Sequence, residues 1–587
     1  MSADDADVIN LQTELEDILR GAVIEALGNE YAEADLLLVP AKDPKFGDYQ
    51  ANLAMGLAKR VGRNPREIAQ QIAGVIPLGP RIDTVDVAGP GFINLRLVSS
   101  SISDGLAKML GDDRLGVPMA DPVQTVVVDY CAPNMAKEMH IGHIRSTCIG
   151  DAIARVLAFL GHAVIRQNHL GDWGTQFGML VEHLVDTGWI RSADQSIGDL
   201  NELYQESKRR FDAEPEFADR ARQRVVAMQS GDSTSMAYWR MLIDESVVHM
   251  NTIFQRLGVL LLDSDIRAES FYNGMLMEVI DRLDQVGQLA QSQGAKVVYP
   301  EGFADRDGHP FPMIVQKGDG GYLYATTDLA AGMYRTHELG ADRVIYVVDA
   351  RQTQHLAMVF AVLRQSGLVG SVVRFDHVHF GTILGSDRTP FKTRVGGTVK
   401  LADVLDEVER RALSVIQDKG SIADSSEQKR VAQVVGIGAV KYADLSNDRI
   451  KDYVFDWNRM LSLEGNTSPY LQNAYVRIQA IFRKGEVNPD AAPGYTIPVF
   501  EPSERALGLH LLQLPGVLAA VGESLEPHRL CTYLYELASH FHRFYEHCPV
   551  LKADQATRDG RLALCALVGR TLRLGLELLG IDVVDRM

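Results

Sequence analysis

Two histidines three residues apart, His140 and His143, frame the tetrapeptide His-Ile-Gly-His in a chain of 587 residues. A β-branched run, Val126, Val127 and Val128, lies shortly before them, and an apolar helical pattern begins just after. The turn therefore opens a helix that follows a buried strand. Such a place suits a nucleoside triphosphate, because a helix start has unpaired N–H groups and the positive end of the dipole. Gly142 has no side chain, so a flat base or ribose can press on the backbone. The two imidazoles can donate to phosphate oxygens and stabilise charge developing at the α-phosphorus. One such donor is typically worth about 3–4 kcal/mol in the transition state.

These residues need a frame. After the turn, Ile149, Ile153, Val156, Leu157 and Leu160 share one face of a predicted amphipathic helix that stops at Gly161. A strand pattern follows at 163–166 and returns at 344–348 and 372–380. This is a β-loop-α-β unit and its echo. It predicts a multidomain α/β fold whose core, residues 122–400, is a Rossmann-like parallel-sheet domain with a helical insertion at about 186–290. Residues 1–115 read as a small α+β domain. In it Leu11, Leu15, Ile18, Leu19, Ala22 and Val23 recur at helical spacing, strand-like runs stand at 36–39 and 92–97, and 43–49 reads as a turn. The Gly, Pro and Asp of 111–122 suit a linker; 401–468 reads as a helical connecting region and 469–587 as an all-helical domain.

Composition narrows the class. Hydrophobic residues make up 46% and charged residues 23%, as in ordinary globular proteins. The five cysteines include no C-x-x-C pair, which argues against a disulfide framework or zinc knuckle and fits a reducing cytoplasm. Asp4, Asp5 and Asp7 stand where a signal peptide would be basic. No run of about 18 apolar residues predicts a membrane span. A net charge of −18 points away from nucleic acid, although 469–587 is nearly neutral, with 12 Lys/Arg against 13 Asp/Glu. Gly436-Ile437-Gly438 lacks the third glycine of a dinucleotide fingerprint, and 318–321 lacks the ending of a P-loop.

Three longer blocks carry a resemblance. APNMAKEMHIGHIRST (132–147), NHLGDWGTQFG (168–178) and YLYATTDLA (322–330) resemble, in order, the signature regions of class I arginyl-tRNA synthetases. The similarity runs along the whole chain. It implies an enzyme that uses Mg2+ and ATP to convert L-arginine to its adenylate, and then esterifies it to tRNA(Arg). It also implies a cytoplasmic monomer with no structural metal that needs bound tRNA before it activates arginine. A large folded RNA can be read by shape and a few stacked bases, which reconciles it with the acidic composition. Without the resemblance, the turn would also suit a nucleotidyltransferase that adenylylates a small molecule, or a paralogue that only binds RNA or amino acid.

Arginine carries a planar guanidinium that a carboxylate holds best in bidentate geometry. Tyr324 and Asp328, four apart, would share one helix face and one pocket. By the resemblance, Asp328 pairs with the guanidinium, Tyr324 walls it, and Gln352, in DARQTQH (349–355), lines the pocket. Asn134 and Asp129 match the positions that hold the α-amino and carboxylate ends; many relatives have glutamate where this chain has Asp129. A basic loop near the end of the nucleotide domain is represented by Lys392 and Arg394, flanked by Gly385, Gly396 and Gly397. It departs from the usual KMSKS pattern, and the resemblance suggests that Lys137 supplies the compensating charge. For RNA, the resemblance points to Tyr475, Arg477, Arg543 and Tyr545 in the C-terminal helices and to Phe46, Tyr49 and Gln50 at the N-terminal end.

Overall fold

The computed structural model describes residues 11–41, 43–188, 200–391, 399–489, 497 and 499–587. The first helix, Leu11–Leu27, buries Leu11, Leu15, Leu19, Ala22 and Val23, the stripe its spacing predicts. It packs on the helix Pro65–Ala73, which covers an antiparallel sheet of β1 (Leu38–Pro40), β2 (Tyr49–Ala51), β3 (Ile82–Ala88) and β4 (Phe92–Leu97) in the order β1-β2-β4-β3. The strand at 92–97 falls where the sequence places it. The predicted turn is a short 3-10 helix, Pro44–Phe46, capped by the Asp43 carboxylate accepting from the Lys45 N–H.

The core sheet follows. β5 (Thr125–Asp129) runs through the valines, and the helix His143–Phe159 leads to β6 (Ala163–Gln167). The chain then makes the helices Leu200–Ala213, Pro215–Gln229, Ser233–Leu257 and Leu276–Gln285. A small antiparallel sheet of β7 (Ala290–Ser292), β8 (Ala295–Val298) and β9 (Met313–Gln316) closes the insertion. The sheet lies beyond the helical insertion expected at about 186–290, and the sequence reading did not mark its strands, because strands of three or four residues carry too little alternation to register. The helix Tyr324–His337 leads into β10 (Arg343–Tyr346), and the helix Thr353–Gln365 into β11 (Arg374–His377).

The core strands are parallel, in the order β11-β10-β5-β6. The chain winds outward in opposite directions from the central pair. The crevice at the carboxyl ends of β5 and β10 is thus the switch point where doubly wound folds bind ligands. Asp129 and Tyr346 are register partners at that edge.

The helix His143–Phe159 differs from expectation. It is buried on nearly every face, Arg145 and Asp151 included, rather than along one stripe. Helices of the connecting region and C-terminal domain enclose it. The Gly436-Ile437-Gly438 segment lies inside the helix Ser425–Leu445. A Cβ on Gly436 would lie 3.1 Å from the Val408 carbonyl, so glycine there lets two helices approach closely. The C-terminal part is helical: Ser468–Gly485, Pro502–Leu511, Leu514–Ser524, His528–His547 and Gln555–Leu578. One span, 502–524, is long and apolar enough to cross a membrane by composition. Its two helices instead contribute Leu507, Leu511, Leu514, Leu518 and Val521 to the core.

Candidate active site

His140 and His143 stack with ring centroids 3.9 Å apart. The His143 Nδ1 accepts the His140 backbone N–H at 3.0 Å, and the His140 Nδ1 accepts the Gly142 N–H at 3.1 Å. An imidazole nitrogen that accepts cannot carry the proton, so both rings keep theirs on Nε2. Burial pushes the His143 imidazole down to about 3, with His140 and Lys137 adding to the effect. His140 is lowered as well, by burial first and then by Lys137. At neutral pH the turn presents two neutral rings, each with one Nε2–H donor. Gly142 has an ordinary helical φ of −62°. A Cβ there would lie 2.8 Å from the His140 ring, so the glycine also makes room for the imidazole.

The loop ahead of the turn is strained. Cys131, Ala132 and Ala136 have φ of 75°, 44° and 59°, a region non-glycine residues rarely enter. Side chains from elsewhere hold it. Ser146 Oγ accepts the Cys131 N–H, Asn168 Oδ1 the Ala132 N–H, and Ser246 Oγ the Ala136 N–H. Gly171 bridges to Asn134, and a Cβ on it would lie 2.3 Å from Asn134 Oδ1. The 168–178 block is therefore the buttress of the 132–139 loop.

The third block delivers acid. Asp328 Oδ2 lies 2.6 Å from His355 Nε2, and the Tyr324 ring centroid lies 4.7 Å from that of His355. Tyr324 is 62% exposed, so it borders open space as a wall residue must. Gln352 is exposed at the N-cap of the helix Thr353–Gln365, one turn from His355. The sequence reading missed Glu269 and gave His355 no role. Burial pushes the Glu269 carboxyl up to about 7, with Asp172 and then Asp328 adding to the rise. Asp172 itself is raised by burial, against hydrogen bonds from the Ser270 N–H and hydroxyl. Among the described residues, no lysine or arginine forms an ion pair with Glu269 or Asp328. Neighbouring carboxylates half out of water without a cation are costly, and a cationic ligand relieves them. The signal for Glu269 is spatial; nothing in its local sequence marks it.

Other expected residues have other surroundings. Asp129 is buried, its Oδ2 2.7 Å from Arg335 Nη2 and its Oδ1 accepting from the His169 N–H. Each of its oxygens thus has a protein donor, and it braces the floor of the site. Asn134 is exposed at the mouth. The Lys137 ammonium lies over the Tyr204 ring at 4.0 Å. Lys392 and Arg394 lie outside the described residues. The described flanks of that loop are both tied down. Phe391 donates its N–H to the Ile383 carbonyl, and the Val399 carbonyl accepts from the Ile141 N–H in the His-Ile-Gly-His turn.

The RNA expectations divide. Tyr49 and Tyr475 are buried, a correction to their expected place on the surface: each ring is packed inside the protein. Gln50 donates to Asn94 across the strands, while Phe46 is 40% exposed under the Lys45 ammonium. On the C-terminal helices, Arg477 bonds His542 at 2.9 Å and lies over the ring of exposed Tyr545 at 5.6 Å, and Arg543 is exposed on the same helix as Tyr545. Tyr470 packs between Tyr535 and His542 in the same group, which makes an aromatic and cationic patch.

Three family models match successive stretches of the chain. Residues 11–97 match the arginyl tRNA synthetase N terminal domain, 105–457 the catalytic domain of class I (R) tRNA synthetases, and 471–587 the DALR anticodon binding domain. The chain is 49% identical over 578 residues to the arginine–tRNA ligase of Cellvibrio japonicus, covering 98% of this chain and 100% of that one. It is 48% identical over 581 residues to that of Hahella chejuensis, covering 99% and 100%. Among solved structures it resembles the arginyl-tRNA synthetase of Plasmodium falciparum, with a TM-score of 0.86, 28% identity and coverage of 98% and 99%. That of Thermus thermophilus gives 0.81 at 25% identity, with coverage of 98% and 100%. With all three family models matched and arginine–tRNA ligases 48–49% identical along nearly its whole length, the chain belongs to the class I arginyl-tRNA synthetases.

Proposed function

We propose that this protein is an arginine–tRNA ligase that condenses L-arginine with Mg·ATP and passes the arginyl group to tRNA(Arg) in the cytoplasm. The observation that carries the reading is one of placement. The turn of neutral imidazoles follows β5, and His355, which bonds Asp328, follows the adjacent strand β10, at the switch point of the sheet. A guanidinium answers the charge of Asp328 and Glu269, and a triphosphate answers the Nε2–H donors of His140 and His143. The arginine carboxylate then attacks the α-phosphorus in line, and pyrophosphate leaves. A ribose hydroxyl at the 3′ end of the tRNA, the 2′-OH by analogy with class I relatives, next attacks the carbonyl of the mixed anhydride, and AMP departs. The site contributes positioning and fixed dipoles rather than a covalent nucleophile. The magnesium ion enters with the nucleotide, where phosphate oxygens and water suit it.

Within this reading Asn134 orients the α-amino end of arginine, Tyr324 and Gln352 border the side chain, and Lys137, Lys392 and Arg394 meet the departing pyrophosphate. The patch around Arg477, Arg543 and Tyr545 takes anticodon bases, and Phe46 with Gln50 meets the tRNA at the N-terminal domain. The domains run 1–115, 122–400, 401–468 and 469–587, and the enzyme acts as a monomer. Charging of tRNA with each of the twenty radiolabelled amino acids tests the whole. Arginine alone should be esterified, and equal charging with a neutral amino acid refutes the acidic pocket.

A further inference from the structure

The imidazole of His355 touches both pocket residues at once. Its Nε2 is 2.6 Å from Asp328 Oδ2, and its ring packs against Tyr324 at 4.7 Å. An ionised carboxylate can only accept, so Nε2 carries the hydrogen and donates it. The Asp328 carboxylate makes no other hydrogen bond to a described residue, so Oδ1 and the second lone pair of Oδ2 stay open to a two-pronged donor. His355 and Asp328 are both largely covered, at 17% and 20% side-chain exposure. His355 itself is fixed in the first turn of the helix Thr353–Gln365, which β10 positions.

We propose that His355 is a positioning residue that sets the plane of the Asp328 carboxylate, and that this plane is what selects a guanidinium over an ammonium. The inference rests on Asp328 facing the arginine side chain. The last torsion of an aspartate is soft, so an unpinned carboxylate turns through a broad range. A guanidinium is a rigid planar fork, and its two parallel hydrogen bonds form only when the carboxylate lies in its plane. The ammonium of lysine or ornithine is a compact charge with rotating donors, satisfied by either oxygen at many angles. Pinning Oδ2 therefore helps arginine and gives little to an amine.

The test is tRNA charging by the full chain at saturating ATP and tRNA, with lysine as a competitor of arginine. His355→Phe should raise the arginine KM about tenfold or more, the scale of one hydrogen bond to a charged group, while kcat stays within about threefold. The inhibition constant of lysine should hardly change, so discrimination falls by the same factor. His355→Gln, whose amide N–H can reach Asp328, should recover most of the arginine KM. Should His355→Phe fail to fold, His355→Asn takes its place, with a polar side chain too short for the contact. An unchanged arginine KM in His355→Phe, or a His355→Gln no better than His355→Phe at equal melting temperature, overturns the proposal. Asp328→Asn separates the two layers. If it raises the arginine KM while His355→Phe does not, only the positioning role fails; if it leaves KM unchanged, the pocket assignment fails with it.

Discussion

Arg145 and Asp444 form a buried ion pair at 2.7 Å, with 1% and 0% of their side chains exposed. Arg145 stands two residues after His143, and Asp444 near the end of the helix Ser425–Leu445. Arg145 also donates to the Lys451 carbonyl at 3.0 Å. The pair clamps the helix that carries the nucleotide turn to the connecting region. Removing one partner of such a pair strands the other charge, typically at about 3–5 kcal/mol. Arg145→Ala should lower the melting temperature of the catalytic domain and reduce kcat with it. A variant that melts and turns over like the parent would show that the pair braces nothing.

Asp328→Asn keeps the shape of the side chain and removes its charge. The guanidinium would lose a charge-assisted fork while the nucleotide site stays intact. The arginine KM should rise at least about a hundredfold, with the ATP KM within about threefold. Unchanged arginine kinetics would remove Asp328 from the pocket.

His143→Ala deletes one of the two Nε2–H donors that the proposed reaction assigns to the developing phosphate charge. A fall in kcat of about 10²–10³ is expected if the donor acts in the transition state. A near-normal kcat in rapid-quench measurements of adenylate formation would refute that role.

Glu269 predicts a pH dependence. Its carboxyl is raised to about 7, so it becomes neutral as the pH falls through that value. Arginine binding favours the ionised form, and binding at low pH must first expel the proton. The arginine KM should therefore rise about tenfold from pH 8 to pH 6, and Glu269→Gln should flatten that slope. A parent enzyme whose KM is level over this range would place Glu269 away from the guanidinium.

Deleting the C-terminal domain is a poor test of RNA binding, because Arg505 pairs with Asp48 at 2.6 Å and the domain encloses the helix His143–Phe159. Surface changes are cleaner. Tyr545→Ala with Arg543→Ala should raise the tRNA KM roughly tenfold, the scale of one lost base stack, with arginine and ATP constants unchanged. A tRNA KM equal to the parent's would move the contact elsewhere.

Local pattern was enough for part of this protein. The valines of β5 are buried because β-branched residues at consecutive positions suit a strand covered on both faces, and the helix after His143 begins where the apolar period changes. The helical stripe of Leu11 to Val23 and the strand Phe92–Leu97 follow from spacing alone. Those signals depend on neighbours a few residues away, so they survive in a linear reading. Tertiary structure decided the rest. It put Glu269 within electrostatic range of Asp328, joined His355 to Asp328 across 27 residues, and joined Arg145 to Asp444 across 299. It also gave both oxygens of Asp129 protein donors and put the rings of Tyr49 and Tyr475 inside. Charge and hydrogen bonding act over a few ångströms of space, and the order of residues along a chain does not state which of them will meet at that distance.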